Sequence, residues 1–540
     1  MAEYESKVMD HLGLVAGMYD ELGIGVEIDQ HIIQDFDKRI ISVGDAVKAL
    51  VLNGLGFVNQ QLYLVPSFFE SKPTERLMGR GILPEHLNDD VLGRALDSLY
   101  DYGVTELYSV VALEAAKRLG LTSRFAHLDS SSFHVDGKYN SDEPPGEGGG
   151  AIHITKGYSR DHRPDLNQVV LDLIVENQAG IPLLMKPLSG NTNDATNFRA
   201  VVTEHVKQLQ EAHDIPYLVA DSALYNQETL QALQGSGLKW LTRVPHTLTE
   251  ANTALAGVRV ETLTPLAEGY RYRTLQSDYA GVPQRWLVVY SEAANTRAQA
   301  QVRKVLAKQS EADVRALAKL SRKFFACRED ATQALEALIK NLKACTLVSY
   351  DICKVAHYNS PGRPAKDAAP SHLSYRIEGQ LATPLALRDE RLVRESCFVL
   401  ATNEADKQAL PDVEVLAGYR GQAFPERGFR FLKDPMFLAD SLFLKSPQRI
   451  MALMMVMTLC LLVYAALQHR IRQGLHEQQQ SFPDQKGKPT QKPTARWVFQ
   501  CFVGIHLLVI NHQQQLVLNL KDHHQLLLSL LGRRYETFYS

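Results

Sequence analysis

Tyr419–Pro435, YRGQAFPERGFRFLKDP, holds the residues best suited to chemistry. On a helix, three- and four-residue steps keep Tyr419, Gln422, Glu426, Arg430 and Lys433 on one face. That stripe carries a carboxylate, two cations, an amide and a phenol, which is not the composition of a core. A surface ion pair, worth little energetically, explains it in one way. A metal ligand flanked by phosphate-binding groups explains it in another. Pro425 suits the first turn of a helix, so the helix can begin there. In that case Glu426, Arg430 and Lys433 still share a face, whereas Tyr419 and Gln422 fall on a preceding turn.

Two further acids stand at informative places. Phe125-Ala126-His127-Leu128-Asp129 reads as a strand ending in Ser130-Ser131-Ser132, with Phe125, His127 and Asp129 on one side. Pro216–Ala220 reads as a buried strand ending in Asp221-Ser222. Acids at strand C-termini of α/β sheets sit where sites gather, although such an Asp is more often a helix cap or a turn former. His127 shares the face of Asp129, either as a core histidine or as its neighbour in a site.

The elements that must position these residues follow from patterning. Residues 1–120 are helical, with a capping box at Ser42–Asp45 ahead of an apolar-periodic run and a second run over Asp89–Leu119. They hold 19 Asp and Glu against 10 Lys and Arg, so a DNA-binding role and a packing role are both open for this domain. Residues 121–245 alternate strand and helix, with a hairpin around Asn177–Gly180, a loop at Asp142–Gly150 and a helix over about 195–212. Residues 246–415 break that rhythm and read as an insertion, with strands at Tyr270–Gln276, Arg285–Ser291, Thr346–Tyr350, Tyr375–Gln380 and Cys397–Thr402 and a linker at Ser360–Ser371. Within it Arg297–Lys343 carries 11 Lys and Arg against 5 Asp and Glu, a local basic patch able to hold nucleic acid. Trp286 there is a base-stacking candidate or a core residue.

Residues 416–475 contain the polar stripe and then Ile450–Leu467, uncharged over 18 residues. Its length admits a membrane span; its place late in a chain of ordinary composition favours a core helix. Residues 476–540 form a linker and C-terminal helices. The six cysteines lack a C-x-x-C pair, which argues against a zinc ribbon or a disulfide framework and suits a reducing compartment. The polar segment MAEYESKVMD does not read as a signal peptide.

Taken together, Asp129, Asp221 and Glu426 resemble the D-D-E triad of bacterial insertion-sequence transposases with an RNase H-like fold. Tyr419, Gln422, Glu426 and Lys433 match the spacing Y-x2-R-x3-E-x6-K of the IS-four-like group, with Gln422 in place of the signature Arg. ERGFRFLKDP and the acidic helical N-terminal part are similar to the IS-sixteen-thirty-four branch. The resemblance implies an α/β fold: an RNase H-like core with a mixed sheet, interrupted by a β/α insertion. It implies cut-and-paste DNA transposition, in which Asp129, Asp221 and Glu426 hold two Mg²⁺ ions, or Mn²⁺ in their place, and Asp129 bridges them. It also implies a hairpin intermediate, phosphate contacts from Tyr419, Gln422, Arg430 and Lys433, and double-stranded DNA as partner. A homodimer assembled on DNA, a place on the cytoplasmic nucleoid and no membrane association complete the expectation. An RNase H-like nuclease without strand transfer and a non-catalytic transposase-derived DNA-binding protein are the alternatives.

Overall fold

The computed structural model describes residues 3–35, 39–57, 64–135, 139, 150–159, 163–192, 215–359, 369–434, 444–511 and 514–540. The expected helix over 195–212, Pro435, nearly all of the loop 142–150 and most of the linker 360–371 lie outside them.

The chain opens with strand β1 (Tyr4–Val8) and helices α1 (Leu12–Glu21), α2 (Ile24–His31), α3 (Val43–Leu55), α4 (Val65–Glu70), α5 (Thr74–Met78), α6 (Asp89–Tyr102) and α7 (Val104–Arg118). The Ser42 capping box is present: its Oγ accepts from Asp45 N at 2.9 Å, and Asp45 Oδ2 accepts from Ser42 N at 3.3 Å. These bonds satisfy amides that helix geometry leaves unpaired. Except for Asp45, every residue of α3 is buried.

A nine-stranded mixed sheet follows, in the order β4-β3-β2-β5-β6-β12-β9-β8-β7. Its strands are β2 (Phe125–Val135), β3 (Asn167–Glu176), β4 (Pro182–Ser189), β5 (Tyr217–Ala220), β6 (Lys239–Val244), β7 (Thr264–Ala267), β8 (Tyr270–Ser277), β9 (Gln284–Ser291) and β12 (Cys397–Thr402). Only the β2–β5 and β5–β6 pairings are parallel. Helix α8 (Gln227–Ser236) connects β5 to β6, and α9 (Thr249–Leu255) follows β6.

Residues 246–415 therefore divide. Strands β7, β8, β9 and β12 extend the central sheet, because their apolar residues bury against it; Trp286 is 3% exposed and donates to Gln284 Oε1, a core residue rather than a stacking platform. Only residues 292–396 project as a lobe: α10 (Glu292–Leu320), α11 (Arg328–Asn341), the hairpin β10 (Thr346–His357) with β11 (His372–Ala382), and α12 (Leu385–Ser396). The lobe has its own small core of Ala331, Leu335, Ile352 and Ile377.

Helices α13 (Asp412–Arg420), α14 (Ala423–Leu432) and α15 (Pro447–Glu477) come next. The uncharged run lies inside α15, of whose most apolar stretch 89% is buried. That helix packs on α1, α3, α6, α7 and β4, and ion pairs Arg449–Asp97 and Arg470–Glu21, both 2.7 Å, fix it to the N-terminal helices. It is a core helix because its surroundings are as apolar as it is.

Beyond α15 the expectation of helices alone fails. After a short ladder of β13 (Phe482–Pro483) and β14 (Pro489–Thr490) comes α16 (Ala495–Cys501), then a hairpin of β15 (His506–Ile510) and β16 (Gln514–Leu518), and then α17 (Asp522–Leu531) and α18 (Arg533–Phe538). Strand β15 pairs antiparallel with β1, Tyr4 opposite Ile510. The Leu, Val and Ile runs of this segment find a strand partner in β1, and pairing overrides local propensity.

Candidate active site

Strand β2 supplies the first acid and differs from its sequence reading. Asp129 does not end the strand. The ladder with β3 runs from Ala126–Glu176 to Val135–Asn167, so Ser130–Ser132 are strand residues opposite Asp172–Val170. The apolar β3 holds the serine run extended. Asp129 is 9% exposed, and its Oδ1 accepts from Ser130 N at 2.9 Å.

Strand β5 supplies the second. It ends at Ala220, and Asp221 follows as a cap, its Oδ1 accepting from Ala223 N at 2.9 Å. In the parallel register Leu128 lies opposite Ala220. Asp129 and Asp221 are therefore the next residues along two adjacent strands. Sequence spacing could not supply this adjacency, since 92 positions separate them.

The third acid comes on a helix laid along β2. A Cβ at Gly418 would lie 2.7 Å from the Phe125 ring, and one at Gly421 would lie 2.5 Å from His127 Nε2. Further on, Phe429 meets Phe133 with ring centroids 6.5 Å apart, and Lys433 Nζ stands 5.6 Å from the same ring centre. Residues 418–433 thus track the strand in the order 125, 127, 133, on the face shared by Asp129. Glu426 falls between the contacts at 421 and 429, on the exposed side of α14.

The polar stripe is not one helix. Helix α13 ends at Arg420, Gly421 and Gln422 intervene, and α14 starts at Ala423 with Pro425 in its first turn. The close approach of the chain to His127 at Gly421 leaves no room for a side chain there. Gln422 also departs from the expected phosphate contact. Its Nε2 donates to Leu128 O at 3.3 Å and its Oε1 accepts from His127 Nδ1 at 3.3 Å, so the amide ties the helix junction to β2. Burial pushes the fully buried His127 down to about 4, and it is a neutral packing and anchoring residue.

Tyr419 closes the other side. Burial raises its hydroxyl pKa; the Asp221 and Glu426 carboxylates add to that rise, and Arg243 opposes it. The phenol therefore lies within the field of both acids. Arg243, not among the residues singled out from the sequence, is brought beside this group by the sheet. It sits on β6, where Thr242 pairs with Ala220, so it is next to Asp221 in register. Its guanidinium donates to His246 Nε2 at 3.0 Å and lies 5.6 Å from the Phe398 ring. The available signal was a cation at the end of an apolar strand. Arg430 is exposed on α14, next to the Glu426–Lys433 edge.

Among the described residues no three His, Cys, Asp or Glu side chains are grouped closely enough to hold a metal ion. Asp129, Asp221 and Glu426, were they to act together, would offer a cation only anionic oxygen. That fits a hard cation such as Mg²⁺, which keeps several waters and needs few carboxylates. Arg243 is next to Asp221 in register and Lys433 closes the helix that bears Glu426, cations suited to a negatively charged substrate.

Residues 4–113 match the model of a domain of unknown function, DUF4277. Among curated proteins none matches the chain. Among solved structures, a piggyBac transposase synaptic complex with hairpin DNA is similar at a TM-score of 0.36 and 9% identity, over 92% of this chain and 82% of that one. A Mos1 transposase paired-end complex with the left transposon end is similar at a TM-score of 0.15 and 13% identity, over 34% of this chain and 57% of that one. Residues 122–463, which span β2, the lobe, both site helices and the apolar half of α15, match the transposase DDE domain, and the chain belongs to that family.

Proposed function

We propose that the protein is a DNA transposase that cuts at the ends of a mobile element and joins them to new DNA. The observation that carries this reading is the register of β2 and β5. It sets Asp129 and Asp221 side by side, with the helix that bears Glu426 laid over the same strand face. On this reading strands β2 to β6 and helix α14 form an RNase H-like core. The spacing of Tyr419, Glu426 and Lys433 supports placement in the IS-four-like group.

Asp129, Asp221 and Glu426 would hold the Mg²⁺ ions, two in number. When bound, such ions stabilise the attacking and leaving oxygens of an in-line displacement. The chain's own residues orient the substrate. Lys433 and Arg430 lie beyond Glu426 on α14 and take phosphates of the strand being cut. Arg243, braced by His246 and Phe398, offers a planar fork to a phosphate beside Asp221. Tyr419 places its hydroxyl between them. Gln422 contributes by holding α14 against β2, not by gripping DNA. Water hydrolyses the end of the strand first; the 3′-hydroxyl it leaves then attacks the second strand and later the target. Two copies of the chain assembled on paired ends, on the DNA of the nucleoid, would carry this out. The basic lobe supplies phosphate contacts, and the acid-rich N-terminal helices serve as the scaffold of α15.

The test is cleavage and strand transfer with DNA that carries the element's terminal repeats, with Mg²⁺. Asp129→Asn, Asp221→Asn and Glu426→Gln should each abolish product while leaving DNA binding intact, because removing a carboxylate lessens repulsion of phosphate. Cleavage that survives any of them would overturn the assignment. Cleavage without joining of a pre-cut end would instead identify a nuclease.

A further inference from the structure

Helix α14 has a further face open to a cavity. Glu426 and Lys433 point along one edge, and Pro425, Phe429 and Leu432 form the buried stripe. The remaining side opens on a cavity of about 440 Å³ between α14, α15, the Gln178–Gly180 turn and the start of α16. Its volume lies in the range that holds a small ligand.

The cavity carries a cluster of arginines: Arg427 and Arg430 from α14, Arg472 from α15, and Arg496 from α16. Among the described residues Arg496 is neutralised by Asp434. Arg427, Arg430 and Arg472 have no carboxylate partner among the described residues. Arg472 is held by its Nε donating to Pro493 O at 2.9 Å. Burial first, and then the neighbouring Arg427 charge, disfavour its cationic form. Like charges brought together in a half-buried site are a cost to the fold that an anion would offset.

Aromatic rings complete the lining. Arg427 stacks 4.6 Å over the Phe424 ring, and Phe431 and Tyr464 lie 4.6 Å apart beside it. The turn beneath fits closely: Gly180 has a φ of +81°, and a Cβ there would stand 2.9 Å from Phe424. Planar cations next to ring faces suit a ligand that has both a phosphate and a flat base. A duplex does not enter a cavity of this size, whereas one unpaired nucleotide does.

We propose that this cavity on the back of the Glu426 helix binds an unpaired nucleotide of a nucleic-acid strand, its phosphate on Arg427 and Arg472 and its base against Phe424. The site rests on the transposase reading for its biological use and not for its detection. Binding of fluorescent ten-nucleotide oligothymidine to the full chain is measured in EDTA, next to a duplex of the same length. The double variant Arg427→Gln/Arg472→Gln should weaken oligothymidine at least about tenfold and lower the slope of log affinity against log salt by about 0.7, one single-strand phosphate contact. Phe424→Leu should weaken it about fivefold or more, as the loss of one stacked base does. Duplex binding should change by less than about twofold, since its contacts lie elsewhere. Equal losses on both probes, or no loss with an unchanged melting midpoint, would overturn the proposal. So would full displacement by excess inorganic phosphate together with an unaffected Phe424→Leu, which would mark a simple anion site. Because the assay contains no metal, a wild-type chain that fails to cleave DNA would overturn the transposase reading and leave this measurement standing.

Discussion

Gly421 passes so close to His127 that a Cβ on it would stand 2.5 Å from Nε2. That contact sets the height of the α13–α14 junction above β2, and with it the place of the helix that bears Glu426. Gly421→Ala must lift the junction or displace the buried imidazole. Displacing a reacting group by about 1 Å costs on the order of a hundredfold in rate. Single-turnover cleavage should fall by that order with DNA affinity retained. An unchanged rate would show that the junction does not position Glu426.

Arg243 stands next to Asp221 in register and is braced by His246 and Phe398. Lysine keeps the charge and loses the fork. Charge-assisted hydrogen bonds are worth about 1.5–3 kcal/mol, so Arg243→Lys should slow cleavage by roughly tenfold to a hundredfold. A rate equal to wild type at several salt concentrations would remove Arg243 from the site.

Helix α13 is tied to the extended sheet by a buried ion pair. Arg285 and Asp412 are 3.1 Å apart, with side chains 0% and 8% exposed; Lys407 and Tyr272 also reach Asp412, at 2.9 and 3.0 Å. Removing one member strands a buried charge, which typically costs about 3–5 kcal/mol. Asp412→Leu should lower stability by that amount in urea unfolding. The double variant Arg285→Met/Asp412→Leu should recover most of it, and equal losses in the two would refute the ion-pair account.

Acid should loosen the junction between the two ends of the chain. His11 is buried, with its Nε2 donating to Leu55 O at 2.8 Å and its ring stacked 4.2 Å from Phe499. Burial lowers it from 6.5 to about 4. The unfolded chain therefore binds a proton that the folded chain refuses, and stability falls as pH drops from about 6.5 towards 4. The limiting loss is roughly 3 kcal/mol, at 1.36 kcal/mol per pH unit. His11→Gln should flatten that part of the stability profile; an identical slope would assign the effect to other groups.

The lobe leaves and re-enters the sheet at paired residues, Tyr290 opposite Cys397, and has its own core. Replacing residues 292–396 with a short glycine-rich turn should leave a cooperatively folded protein. It should also weaken DNA binding about tenfold or more at low salt and lower its salt dependence, since several Lys and Arg are removed. A protein that no longer folds would show that the lobe supports the sheet.

Local chemistry was legible in the sequence where it acts over a few residues. The Ser42 cap, the strand character of residues 125–129 and 216–220, the hairpin around Asn177–Gly180 and the core nature of α15 follow from spacing and hydropathy. The acids and cations of Tyr419–Pro435 single out that stretch by residue type and spacing. What the tertiary structure alone decided were relations over long distances. The break at Gly421 comes from contact with His127, 294 positions away, and the fate of the Gln422 amide from the same strand. Ser130–Ser132 are extended because β3 pairs with them, and the C-terminal Leu and Val run is a hairpin because β1 reaches it. Arg243 became visible only when β5 and β6 were set in register. Propensity and capping are nearest-neighbour effects written in the order of residues. Register, close approach and the meeting of charges depend on which segments pack together, a property of the folded chain as a whole.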